Sequence, residues 1–165
     1  MPVTLEGSCR CAAVRFTCQS HTPQPYQRCY CSICRKTAGG GGYAINLGAD
    51  MRTMKIEDPD GAIAVFRAEI RQDDGTCEVS TGERNFCSKC AAALWLFSPE
   101  WPELVHPFAS AIDSDLPTPP SSVHLMLKFK PEWVALQLGP DDLQFALYPK
   151  QSIEDWHRER GLWVD

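Results

Sequence analysis

The sequence predicts a mainly β fold, and three observations carry that expectation. Short strand-like runs recur at regular spacing, they do not alternate with long helical patterns, and one helix signal stands alone near the C-terminal end. Residues 3–5 and 12–17 alternate as strands do, with Val14 and Phe16 on one face. Residues 43–47 form another strand after the four glycines 39–42, which read as a flexible loop or a backbone nest for an anion. Residues 53–57 and 62–70 flank Asp58, Pro59, Asp60 and Gly61, a turn-forming tetrad that predicts a hairpin. Strands at 76–81 and 92–97 bracket a cysteine motif, and others are expected at 105–112, 123–129 and 133–138. A short helix is expected over about 152–160, with Ser152 as N-cap, Asp155 three residues on and Gly161 at its end. Two turns of helix are unstable alone, so Ile153 and Trp156 should dock on a sheet. Trp95, Trp101 and Trp133 are expected in the core.

With 165 residues, the chain has the size of a single domain, taken as 1–165. The proline-bearing stretch 113–122 reads as a loop within it. Sixteen Lys and Arg against 21 Asp and Glu leave a net charge of −5. That balance argues against a nucleic-acid partner and gives no support for an anionic membrane. The opening MPVTLEGSCRC has neither a cationic stretch nor an apolar core of a signal peptide, so a cytoplasmic location is expected.

Nine cysteines are an odd number, which excludes complete pairing as disulfides, and a reducing compartment favours metal binding or redox use. Seven lie in three groups: Cys9 and Cys11; Cys29, Cys31 and Cys34; Cys87 and Cys90. A C-x-x-C turn delivers two thiolates to one ion, and a C-x-C pair in an extended chain places both on one face. Two partitions follow. Cys9, Cys11, Cys87 and Cys90 form a closed four-sulfur site, with Cys29, Cys31 and Cys34 as an open one; or Cys31, Cys34, Cys87 and Cys90 form a zinc ribbon. Cys18 and Cys77 are expected to be buried packing residues, His124 a satisfied core histidine, and His21 and His106 loop residues.

The segments GSCRC, CYCSICRKTAG and FCSKCAAAL, in this order, resemble the three signatures of the glutathione-dependent formaldehyde-activating family, also called the centromere protein V/GFA family. FASAID, His124, Trp133 and the closing SIEDWHRERGL extend the resemblance over nearly the whole chain. It implies a β-tent type fold of small coiled antiparallel sheets with two zinc ions per chain. It assigns Cys9, Cys11, Cys87 and Cys90 to a structural zinc, and Cys29, Cys31 and Cys34 to a second, substrate-facing zinc. Two departures stand out. Ala12 and Ala91 occupy positions where the family usually has glycine, a change expected to be harmless at negative φ. Tyr30 replaces the usual histidine between Cys29 and Cys31.

The resemblance implies a carbon–sulfur lyase that promotes reversible addition of glutathione, or a related thiol, to formaldehyde or another aldehyde. Arg35 and Lys36 are candidate contacts for the glutathione carboxylates, or simple charge compensation for the thiolates. Two other classes compete: a non-catalytic zinc module that binds a protein or small ligand, and a redox protein using Cys31 and Cys34. The redox reading lacks the alternating βαβ pattern of a thioredoxin-like context.

Overall fold

The computed structural model describes all residues, Met1–Asp165. Period-two burial builds the first hairpin. In β1 (Val3–Ser8) Leu5 and Gly7 turn inward, and in β2 (Arg15–Thr22) Phe16, Cys18, Ser20 and Thr22 do so. The two pair antiparallel from Val3 opposite Ser20 to Ser8 opposite Arg15. The chain continues through β3 (Gln27–Cys29), helix α1 (Ser32–Ala38), β4 (Ala44–Ile45), β5 (Gly48–Glu57) and β6 (Ile63–Phe66). Then come β7 (Glu69–Arg71), β8 (Cys77–Val79), β9 (Glu83–Cys87), β10 (Ala93–Phe97), β11 (Leu104–Pro107), β12 (Val123–Leu125), β13 (Leu143–Gln144) and α2 (Ile153–Glu159). No helix is long and apolar enough to cross a membrane.

The fold is mainly β, as the sequence predicts. Seven strands form an antiparallel sheet in the order β1-β2-β5-β11-β10-β9-β6. A second sheet, β13-β12-β3-β4, is mixed, because β12 runs parallel to both β3 and β13. Each sheet has its own core. Leu5, Val14, Phe16, Leu47, Leu94 and Val105 fill the first, where Phe16 meets Trp95 edge-on at 5.1 Å. Tyr26, Phe108, Val123, Leu125 and Trp156 fill the second, and α2 is held there by Trp156 stacked on Tyr26. Ser152 caps α2 by accepting the Asp155 amide, as its sequence signature predicts.

Several expectations fail for identifiable reasons. The predicted hairpin does turn: Gly61 donates to the Asp58 carbonyl, and the Asp58 carboxylate accepts the Ala62 and Ile63 amides. Its arms nevertheless separate, β5 pairing β2 and β11 while β6 pairs β9. A turn signal fixes local reversal, not the partner chosen by the sheet. Residues 133–138 form no strand, and Trp133 and Trp101 are 67% and 54% exposed rather than buried. Strand β9 is missing from the sequence reading because Glu83, Arg84 and Asn85 give no apolar alternation. Cys77 is exposed, while Cys18 is buried as expected. His21 and His106 lie in β2 and β11, not in loops, each using Nδ1 against a backbone carbonyl.

Ala12 and Ala91 both have φ of 60°, so the condition for harmless replacement of glycine is not met. A left-handed residue with a Cβ costs roughly 1–2 kcal/mol, against a smaller entropic penalty for glycine. Ala12→Gly and Ala91→Gly should each stabilise the fold by about 0.5–1 kcal/mol in chemical denaturation. Unchanged or lower stability would show that these turns carry no such strain.

Candidate metal centres

Cys9 and Cys11 follow β1, and Cys87 and Cys90 form the turn between β9 and β10. Left-handed Ala12 and Ala91 bring the chain back after each pair, so that the Ala12 amide reaches Cys9 O and the Ala91 amide reaches Cys87 O. The four sulfurs lie within 4.8 Å of one another. Cys9 and Cys11 Sγ are 3.6 Å apart, Cys11 and Cys87 Sγ 3.8 Å. Zinc–sulfur bonds near 2.3 Å in a tetrahedron put sulfurs about 3.8 Å apart, whereas a disulfide needs about 2.05 Å. The donor set therefore fits a tetrahedral soft-metal site, and all nine cysteines are free. Backbone amides favour the ionised form: those of Ala92 and Cys11 hold Cys90 down to about 6, and Val14 N donates to Cys9 Sγ at 3.3 Å.

The second group sits in the other core. Cys29 ends β3, Cys31 is the N-cap of α1, and Cys34 lies in its first turn. Helix α1 escapes the sequence reading because its cap is a cysteine: Cys31 Sγ, rather than a hydroxyl or carboxylate, accepts the Cys34 amide at 3.2 Å. Cys29 and Cys34 are buried and Cys31 half-buried, again within 4.8 Å. Neither a histidine nor a carboxylate joins them. Cys31 and Cys34 thus cluster with Cys29, and the zinc-ribbon partition does not form. Thiol contacts from Cys29 and Cys31 push Cys34 strongly down and Arg84 pushes it further, while the same contacts push Cys29 up.

Arg84 Nη2 points at Cys34 Sγ from 3.6 Å, and Asn46 Nδ2 from 3.9 Å. Neither residue emerges from the sequence, since Arg84 reaches Cys34 only through the unpredicted β9, 50 positions away. Arg35 and Lys36 occupy the last turn of α1, Arg35 half-buried with an unpartnered Nε and Lys36 exposed. The glycine run is not uniformly free. Gly40 and Gly41 are open, but a Cβ at Gly39 would lie 2.0 Å from the Tyr43 carbonyl oxygen.

Tyr30 turns away from the thiols. Its hydroxyl is 2.8 Å from His124 Nδ1, and His124 Nε2 is 3.0 Å from Asp142 Oδ2. Tyr30 and His124 are both buried. Burial raises the Asp142 carboxyl, but the Ser122 amide, His124 and the Gly139 amide outweigh it and hold it at about 2. An ionised carboxylate only accepts, so Nε2 carries the proton toward Asp142 and Nδ1 accepts from Tyr30. His124 is the satisfied core histidine that the sequence predicts.

A family model described as glutathione-dependent formaldehyde-activating enzyme matches residues 4–127. A Halomonas elongata protein named "Putative glutathione-dependent formaldehyde-activating enzyme" is 59% identical over 158 residues, covering 96% of this chain and 97% of that one. A crystal structure of a Rhodobacter sphaeroides protein is 19% identical, with a TM-score of 0.48 over 68% of this chain and 91% of that one.

Tyr30→Phe leaves His124 Nδ1 buried and unpaired and should cost about 1–3 kcal/mol in denaturant unfolding. The depressed Asp142 carboxyl stabilises the fold above the usual carboxylate range and loses that contribution as pH falls from about 4 to about 2. Asp142→Asn should flatten this part of the pH–stability curve; an unaltered acid limb would contradict the assignment.

Proposed function

From membership of the glutathione-dependent formaldehyde-activating family, to which this chain belongs by the match over residues 4–127 and 59% identity to a relative, we propose a zinc-dependent carbon–sulfur lyase. Its reaction is the reversible addition of glutathione, or a related thiol, to formaldehyde or another aldehyde. In the forward direction the thiol sulfur bonds to the carbonyl carbon, the C=O π bond opens, and the thiol proton ends on oxygen. Reversal breaks the carbon–sulfur bond. We read residues 1–165 as one unit performing this reaction.

The observation that most supports this reading is the inequality of the two thiol groups, four in one and three in the other. Cys9, Cys11, Cys87 and Cys90 would close a structural zinc site, and Cys29, Cys31 and Cys34 would hold a second ion with one position left for substrate. Zinc in the three-sulfur site would supply Lewis acidity, lowering the pKa of a bound thiol and polarising an aldehyde carbonyl. The protein's own part is positional. Helix α1 fixes Cys31 and Cys34 through the cap, β3 fixes Cys29, and Tyr30 locks the intervening turn to His124. Arg35 and Lys36 add positive charge beside the site and are candidate contacts for glutathione carboxylates.

Metal analysis should find two zinc ions per chain, and Cys31→Ser should retain one. In an exchange experiment following formaldehyde and glutathione by NMR, the wild type should accelerate interconversion over buffer and Cys31→Ser should abolish the gain. Cys87→Ser should instead lose folded protein. A two-zinc wild type without acceleration would refute the lyase and leave a binding module.

A further inference from the structure

One guanidinium, that of Arg84, touches the three-thiol group. Arg84 is half-buried on β9 and reaches Cys34 Sγ at 3.6 Å and Thr37 Oγ1 at 3.4 Å. Both contacts are long, and no carboxylate of the chain bonds this guanidinium; the adjacent Glu83 is taken by Arg67. Arg28, one residue before Cys29, belongs to the other side, its guanidinium 5.1 Å from the Tyr43 ring centroid, and Arg35, one residue beyond Cys34, keeps a buried Nε without a partner. In a chain with net charge −5 acids are plentiful, so a guanidinium at the thiols with no acid on it points to an anionic partner from outside.

The guanidinium fork matches a carboxylate in two parallel hydrogen bonds. A carboxylate-bearing thiol bound beside Cys34 would have the Arg84 guanidinium as a neighbour. Resting on the reading above that this group accepts a thiol, we propose that Arg84 anchors a carboxylate of that thiol. The site thereby favours thiols bearing a carboxylate over neutral thiols of similar reactivity.

The test uses two probes on the zinc-replete protein and on its cobalt-substituted form. S-methylglutathione keeps the carboxylates but has no free thiol, and its affinity is read by calorimetry. 2-Mercaptoethanol has the thiol alone, and its binding is read from the cobalt absorption spectrum. Arg84→Gln should weaken S-methylglutathione at least tenfold and leave 2-mercaptoethanol within twofold, while Arg84→Lys should recover part of the loss. Equal weakening of both probes, or loss of metal from the three-thiol site in both variants, would make Arg84 a support for Cys34 and overturn the proposal. Unchanged S-methylglutathione affinity in Arg84→Gln, in a wild type that does accelerate exchange, would overturn the proposal alone. A wild type that neither binds S-methylglutathione nor accelerates exchange would overturn the lyase reading with it.

Discussion

Thiols separated by 76 positions, Cys11 and Cys87, lie 3.8 Å apart, and the rest of the architecture depends on that closure. In the seven-stranded sheet, β1 is an edge and β9 is sixth in order, yet the residues leaving one touch the residues ending the other. Such a contact demands strong coiling of the sheet, and coiling encloses the core around Phe16, Leu94 and Trp95. Closing so long a loop costs entropy, and ionised thiols gathered together repel. A divalent cation held by the four sulfurs would offset both and turn its binding into folding free energy. The left-handed alanines fit this view: the knuckle geometry is kept even where a side chain strains it.

The three-thiol group answers a different demand. It lies where the second sheet meets a short helix, within the core that Trp156 closes. Cys31 Sγ is oriented by the Cys34 amide that it caps, and Cys34 Sγ by Arg84 and Asn46. Tyr30 contributes by pointing away. By engaging His124, and through it Asp142, it anchors the turn from behind and leaves Asn46 and Arg84 as the side chains that donate to Cys34 Sγ.

Much of this was legible in the sequence, for physical reasons that also explain what was not. Alternation marked β1 and β2 because one face of each is buried, and Ser152 with Asp155 marked α2 because capping is local. The cysteine groups were legible because thiols able to hold one ion are closely spaced within each turn. Partner choice was not: the Asp58–Gly61 turn gave no hint that β6 would pair β9. Polar β9 hid in the same way, and with it Arg84, whose position depends on a cross-sheet register. Ala12 and Ala91 were visible as departures, but their positive φ was not, since alanine does not advertise a left-handed turn.

The central claim is that two ions of unequal coordination sit in one chain. X-ray absorption at the zinc edge of the two-zinc protein measures this directly. The account predicts about 3.5 sulfurs per zinc at about 2.3 Å, the mean of a closed and an open site, rising towards four when glutathione is added. Four sulfurs per zinc before any thiol is added, or a count that glutathione does not move, would contradict it.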